Sequence, residues 1–220
     1  MNITWYGQSC FKIQTKSQRG SEEITIITDP FDKSLGLRPP QGNAEIVLVS
    51  HTQHDDHNNV SVIKGEPFII DSPGEYSIEG IQIEGIESFH DKVNGEEKGR
   101  NTIFTIDSEG MRICHLGDLG HILEEDQVET IGEVDVLMIP VGGKFTLDSK
   151  EAENVVGQLE PKIIIPMHFK VKELNLDIDD AEKFCKEYGG KTETGIAKLN
   201  LKKKELIETE SKVVVMEINK

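Results

Sequence analysis

Nearly continuous apolar runs are the feature that most constrains the fold of this chain. VDVLMIP at 134–140 and KIIIPMH at 162–168 have the length of strands, and few polar residues interrupt them. Such runs are typical of strands that are buried on both faces. The segment between them, 149–160, has apolar residues at helical spacing and a charged opposite face, as expected for a helix that covers a sheet.

Shorter β-rich segments, each closed by a turn-forming residue, occupy most of the remaining chain. We predict further strands at 3–7, 10–15, 22–28, 44–50, 67–71, 80–86, 101–107, 111–117, 197–203 and 212–218, and helices at 124–132, 149–160 and 177–190. We see no linker or internal repeat, so residues 1–220 are predicted to form a single domain. Its class is α/β, with two strand-rich sheets that face each other and helices outside them, in four layers.

The charge balance bears on the partners of the protein. There are 40 Asp and Glu residues against 24 Lys and Arg residues, which gives a net charge of −16. Binding to nucleic acid requires a basic surface that displaces counterions from phosphates, and no basic stripe is visible. We therefore expect no nucleic-acid partner.

The three cysteines are far apart in sequence and have no CxxC spacing, which argues against both a disulfide framework and a thiolate zinc finger. No signal peptide is visible, and no apolar run approaches the roughly 20 residues of a membrane span. We expect a cytoplasmic protein with no membrane partner.

The chemistry is concentrated in SHTQHDDHNN at 50–59, directly after the apolar run IVLV. Three histidines and two aspartates lie within the seven positions from His51 to His57. Imidazoles and carboxylates are both ligands of borderline-soft divalent ions such as zinc. The alternative is a polar turn whose histidines cap a helix, but the density of the cluster favours a metal site.

Four more candidates, Asp29, His90, Asp118 and His168, stand where other predicted strands end or in the loop that follows. Each is weak alone, because a histidine at a strand end is more often a hydrogen-bonded structural residue and an aspartate there is common in turns and caps. Their shared placement, in a chain that also carries the histidine and aspartate cluster, favours a common site.

The order of these motifs resembles the metallo-β-lactamase fold superfamily of metal-dependent hydrolases. The phrases DSPGEY, GRNTIF, HLGDLGH, IPVGG and IPMHF are most similar to its zinc-dependent hydrolases related to ascorbate-6-phosphate lactonases. The resemblance covers nearly the whole chain, from WYGQSCF to IPMHF. It implies a four-layer αββα sandwich with the site at one edge.

The resemblance also implies a set of metal ligands. His54 and His90 would hold one ion, Asp56, His57 and His168 a second, and Asp118 would bridge them. Asp29 would orient a ligand from behind. The implied cofactor is a divalent metal, one or two ions, with zinc favoured and manganese or iron as alternatives.

The sequence departs from the family pattern at the first ligand. The usual spacing has one residue between the first two histidines, whereas two residues separate His51 from His54, so that position falls on Thr52. Either a one-residue bulge lets His51 reach the metal, or the first site has lost a ligand and binds metal weakly. We favour the bulge, because bulges commonly re-aim side chains beside active sites. Gln8, where this branch often has histidine, is a second departure.

The implied activity is hydrolysis by a metal-activated water, in which Asp56 orients or accepts a proton from the attacking hydroxide. We expect a small ester, lactone or phosphoester substrate, compatible with an anionic group. Arg100 either holds such a group or pairs with a carboxylate of the protein itself, and Glu75 either lines the cleft or is an ordinary turn carboxylate. The alternatives are a metal-dependent phosphodiesterase or nuclease, and a non-catalytic protein with a degraded metal site. The sequence leaves the substrate and a homo-oligomeric state undecided.

Overall fold

The computed structural model describes residues 1–17, 22–52, 58–207 and 210–219. Its strands are β1 Asn2–Gly7, β2 Cys10–Lys16, β3 Glu23–Thr28, β4 Ile46–Leu48, β5 Phe68–Ile70, β6 Gly74–Ile78, β7 Ile81–Phe89, β8 Arg100–Ser108, β9 Met111–His115, β10 Val136–Pro140, β11 Ile163–Met167, β12 Lys191–Ile196, β13 Leu199–Asn200 and β14 Lys212–Met216. Its helices are α1 Glu125–Ile131, α2 Ser149–Leu159, α3 Ala181–Tyr188 and α4 Lys203–Leu206, with 3-10 turns at Lys33–Leu35 and Val60–Val62.

The strands form two sheets. Within the described residues, the first has the order β13-β1-β2-β3-β4-β5 and the second the order β12-β14-β11-β10-β9-β8-β7-β6. Strands β3, β4 and β5 are mutually parallel, as are β9, β10, β11 and β14. Two antiparallel steps, β7 with β8 and β8 with β9, make β7 parallel to β9.

The two sheets share one apolar core. Ile26 and Leu48 of the first sheet belong to the same cluster of buried side chains as Phe104 and Met138 of the second. Because side chains alternate along a strand, Ile27 faces the other way. It joins a second cluster that covers the outer face of the first sheet.

That second cluster is completed by the segments around the 3-10 turns and by Leu174. On the other side, the buried residues of α2 and α3 pack against the second sheet as part of the main core. The mixed α/β architecture with two facing sheets confirms the predicted fold class.

Local sequence signals explain the helices. Asp148 caps α2 by accepting hydrogen bonds from the backbone N–H groups of Lys150 and Glu151. The Glu151 carboxylate accepts from the backbone N–H of Asp148, which completes a capping box. Helix α3 starts after Asp180 and ends at Gly189, whose φ of 66° lies in the left-handed region that favours glycine. No helix of the described residues is long and apolar enough to cross a membrane.

The topology positions the candidate residues. His168 follows β11, Asp118 lies in the loop after β9, and His90 follows β7, so all three meet at the carboxyl edge of the second sheet. Asp29 and His51 follow β3 and β4 at the corresponding edge of the first sheet. Functional residues commonly gather where parallel strands end.

Candidate metal centre

Three imidazoles converge on one carboxylate oxygen, Oδ2 of Asp118. The Nε2 atoms of His168, His90 and His51 lie 3.2, 3.4 and 3.9 Å from it. His51, His90 and Asp118 offer ligand atoms within 4.8 Å of one another. All four residues are buried, with at most 3% of their surface exposed.

The electrostatics of the cluster reflect this arrangement. Burial lowers the pKa of His90, but the adjacent Asp118 carboxylate more than reverses that effect, so the pKa lies above its ordinary value. A protonated imidazole and a metal ion are alternative ways to neutralise a buried carboxylate. The centre therefore favours positive charge.

Ser50 links Asp29 to His51. The backbone N–H and the hydroxyl of Ser50 donate to the two carboxylate oxygens of Asp29, at 2.7 and 2.9 Å. The hydroxyl has a single proton, which it donates to Asp29. Its oxygen therefore accepts a hydrogen bond from Nδ1 of His51, at 3.0 Å. Nδ1 then carries the proton, and the lone pair of Nε2 is directed at the centre.

Asp29 accepts these hydrogen bonds in a fully buried environment. Burial and the nearby Asp118 carboxylate raise the pKa of its carboxyl well above the ordinary value, although the two hydrogen bonds from Ser50 lower it in part. Its φ of 40° is in the left-handed region, which is uncommon for a residue other than glycine. The predicted position of Asp29 behind a ligand matches this hydrogen-bond chain to His51.

The loop that carries Asp118 is fixed by Asn101. Its Oδ1 accepts from the backbone N–H of Asp118 at 2.9 Å, and its Nδ2 donates to Ser88 Oγ and to the carbonyl of Leu116. Gly117 makes this contact sterically feasible, because a Cβ at that position would lie 2.4 Å from Asn101 Oδ1. Asn101 was not among the predicted site residues. The sequence feature that marks it is a polar amide side chain within a strand of mostly buried residues.

His115 has a structural environment. Its Nδ1 accepts from the N–H of Gly117 at 3.2 Å, so its Nε2 donates to the carbonyl of Ser9 at 2.8 Å. Burial is the largest influence and lowers its pKa to about 4. A neutral, fully bonded imidazole in this position supports the loop before Asp118.

Arg100 lies outside the centre. Asn101 turns its side chain toward Asp118, so its neighbour in β8 faces the opposite side of the sheet. There the Arg100 guanidinium is largely exposed and lies 3.5 Å from a carboxylate oxygen of Glu87. The suggested substrate contact through Arg100 has no support in this placement.

Glu75 also lies outside the centre. It is an exposed residue of the edge strand β6, opposite Glu84, whereas His90 follows the far end of β7. The Pro-Gly sequence before it leads into a strand rather than into the cleft.

Three predicted ligands, His54, Asp56 and His57, lie outside the described residues. The predicted metal ligands that the structure describes are His51, His90, Asp118 and His168. Thr52, to which the family spacing assigns the first ligand, is exposed, whereas His51 is buried in the centre. The segment between His51 and His54 lies partly outside the described residues, so the bulge stays a prediction.

The donor set fits a divalent metal. Zinc binds imidazole nitrogen and carboxylate oxygen at roughly 2.0–2.2 Å, so ligand atoms around a tetrahedral ion stand roughly 3.3–3.5 Å apart. The His168 and His90 contacts with Asp118 are close to this separation. The three imidazoles and the carboxylate would hold such an ion with modest adjustment.

Comparisons with known proteins identify the family of this chain. The family model described as "Beta-lactamase superfamily domain" matches residues 2–168. A structure from Thermotoga maritima, described as a candidate Zn-dependent hydrolase of the metallo-β-lactamase superfamily, is 40% identical, covers 99% of both chains and superposes with a TM-score of 0.79.

Two archaeal relatives are each named a UPF0173 metal-dependent hydrolase. The protein from Thermoplasma acidophilum is 26% identical over 79% of this chain and 85% of its own length. The protein from Thermococcus onnurineus is 26% identical over 90% of this chain and 96% of its own length. The similarity therefore extends over most of both proteins.

Proposed function

Because the chain belongs to the β-lactamase superfamily, we propose that it is a metal-dependent hydrolase of a small ester, lactone or phosphoester. One observation carries the proposal, namely the convergence of the His51, His90 and His168 imidazoles on Oδ2 of Asp118. Relatives named metal-dependent hydrolases support the same reaction class.

The donor set favours zinc, since three imidazoles with one carboxylate suit this ion better than the oxygen-only sites of magnesium or calcium. Bound there, a divalent ion lowers the pKa of water and supplies Lewis acidity. His51, His90, His168 and Asp118 would hold it, and the Asp29–Ser50 pair would keep the His51 lone pair directed at it. Manganese and iron are the alternatives to test.

The nucleophile is proposed to be water rather than a side chain. Cys10 and Cys114 are fully buried, and burial raises the pKa of both thiols, which disfavours the reactive thiolate. Asp56 is proposed to orient the attacking water and accept its proton. It belongs to the part of the chain outside the described residues, so this role rests on the family resemblance.

The substrate is proposed to be small and compatible with an anionic group. The net charge of −16 opposes binding to a polyanion, but metal charge at the centre would attract a single phosphate or carboxylate locally. We also propose that the protein acts in the cytoplasm, without a nucleic-acid or membrane partner. An oligomer is compatible with this function.

The test has two parts. The protein is loaded with Zn²⁺, Mn²⁺ or Fe²⁺ and assayed on a panel of lactones, thioesters, phosphomonoesters and phosphodiesters, with polynucleotides included. We expect turnover of one small-molecule class that a chelator abolishes and the metal restores. Activity confined to polynucleotides would replace the proposal with a nuclease, and failure to bind any of these metals would indicate a non-catalytic protein.

A further inference from the structure

We propose that Ser9 is a positioning residue that determines which oxygen of Asp118 is offered to the metal. The Ser9 hydroxyl donates to Oδ1 of Asp118 at 2.7 Å, while Oδ2 of the same carboxylate faces the three imidazoles. Ser9 is fully buried and Asp118 is 1% exposed, so water does not compete for this bond. The inference rests on the proposed metal-dependent function.

Ser9 is itself held rigidly in the turn between β1 and β2. Its carbonyl oxygen accepts a hydrogen bond from Thr28 Oγ1 at 2.8 Å and another from His115 Nε2 at 2.8 Å. These bonds come from β3 of the first sheet and from β9 of the second. The backbone of Ser9 is therefore hydrogen-bonded to both sheets, and its hydroxyl approaches Asp118 from a fixed position.

The hydrogen bond from Ser9 gives the two oxygens of the Asp118 carboxylate different roles. A serine hydroxyl has one proton, and here it is given to Oδ1, where a hydrogen bond to a charged acceptor is strong. The bond uses one lone pair of Oδ1 and fixes the rotation of the carboxylate, so that Oδ2 is the oxygen that would bind a metal. Without the hydroxyl, Asp118 can rotate about its side-chain bonds, and Oδ1 becomes available as a second ligand atom.

A purely structural role for Ser9 predicts a different result. In that case the hydroxyl would only fasten the β1–β2 turn to the loop after β9, and its loss would lower stability without a selective effect on metal binding. Thr15→Val is a matched control, because it also removes one buried hydroxyl, which bonds to Ser108 and Glu109 and touches neither Ser9 nor Asp118.

The experiment measures Zn²⁺ affinity of the full chain by competition with a chromophoric chelator, together with thermal unfolding of the metal-free protein. Wild type, Ser9→Ala, Ser9→Thr and Thr15→Val are compared. Ser9→Gly, which also lacks the hydroxyl, replaces Ser9→Ala if that variant is insoluble. The Co²⁺-substituted proteins are then compared by visible absorption, which reports coordination number and geometry.

We expect Ser9→Ala to weaken Zn²⁺ binding by about 10–100-fold, the usual range for a residue that orients a ligand, and to change the Co²⁺ spectrum. Ser9→Thr, which keeps the hydroxyl, should restore much of the affinity. Thr15→Val should lower the unfolding temperature with little change in affinity.

Two results would overturn the inference. If wild type binds Zn²⁺ and Ser9→Ala binds it equally well with the same Co²⁺ spectrum, Ser9 has no positioning role, while the proposed function stands. If wild type binds none of Zn²⁺, Co²⁺, Mn²⁺ and Fe²⁺, both the inference and the proposed function are wrong; if it binds only Mn²⁺ or Fe²⁺, the variants are compared on that ion.

Discussion

The Nε2 atom of His168 lies 3.2 Å from Oδ2 of Asp118 in a buried contact that joins the ends of two parallel strands of the second sheet, β11 and β9. His168 holds this position with a left-handed φ of 49°, and its backbone N–H donates to the carbonyl of Gln8. Non-glycine residues in this conformation are often found at functional sites, because the surrounding structure must sustain the strain. The contact links metal binding to the geometry of both strand ends.

Asp118→Asn is expected to abolish tight metal binding. The substitution preserves shape but removes the negative charge that faces the imidazoles of His90 and His168, so at least about a 100-fold loss of Zn²⁺ affinity should follow, with a matching loss of any hydrolysis. Metal content after dialysis and isothermal titration would measure the effect. Glu129→Gln, the same change on an exposed face of α1, should behave as wild type. Full metal occupancy in Asp118→Asn would show that the ion sits elsewhere.

Ser50→Ala should weaken metal binding less severely. It removes the hydroxyl between Asp29 and His51 and leaves the direct ligands in place, so a loss of about 10-fold in Zn²⁺ affinity is expected. The ring of His51 would then be free to adopt the other tautomer. NMR of the imidazole nitrogens would detect the change in the protonated atom. An unchanged tautomer together with unchanged affinity would contradict the role assigned to Ser50.

The positions of the site residues were largely predictable, because they depend on where strands end. Runs such as IVLVSH and IIIPMH mark the strand ends directly, and parallel strands bring those ends to one edge. The three predicted helices correspond to α1, α2 and α3, although α3 is shorter than the predicted 177–190.

Hydrogen bonds between residues that are distant in sequence could not be predicted in the same way. Ser9 reaches Asp118, and Asn101 reaches its loop, only after the chain has folded and the sheets have packed, and no local pattern encodes these contacts. The prediction for 197–203 was partly wrong. Its first half contains β13, but Lys203 begins α4, in which Leu206 is buried. Burial of one leucine in the tertiary structure outweighed the alternating pattern.

Asp91 is expected to stabilise the segment 91–99. Burial raises the pKa of its carboxyl, but hydrogen bonds from four backbone N–H groups lower it to about 2. The donors are those of Val93, Gly95, Glu97 and Lys98. Asp91→Ala should lower the free energy of unfolding by roughly 1–2 kcal/mol in urea denaturation, because four partly buried N–H groups lose a charged acceptor.

The pH dependence of this contribution has a definite sign. The folded pKa lies below the unfolded value near 3.8, so the stabilisation is complete above about pH 4 and is lost as the pH falls toward 2. Glu96→Ala, in the same segment but exposed, should have little effect on stability. If the two variants unfold at the same urea concentration as wild type, the four hydrogen bonds do not stabilise the segment.

His115 is expected to make the protein sensitive to mild acid. Its folded pKa is about 4, since burial outweighs the hydrogen bond to Ser9 and the attraction of Asp118, whereas the unfolded value is near 6.5. Above pH 6.5 the imidazole is neutral in both states. Between pH 6.5 and 4 the unfolded chain takes up a proton that the folded protein does not, so stability falls by up to about 3 kcal/mol and then stops changing from this source.

His115→Gln isolates this effect, because an amide can still donate to the carbonyl of Ser9 but takes up no proton in this range. The free energy of unfolding of chelator-treated wild type and variant should be measured by urea denaturation at steps from pH 8 to pH 4. We expect the wild-type curve to fall more steeply than that of the variant below pH 6.5, with the difference between them levelling off near pH 4. Parallel curves would mean that His115 has the same pKa in the folded and unfolded chains, and the neutral imidazole inferred from its two hydrogen bonds would then be wrong.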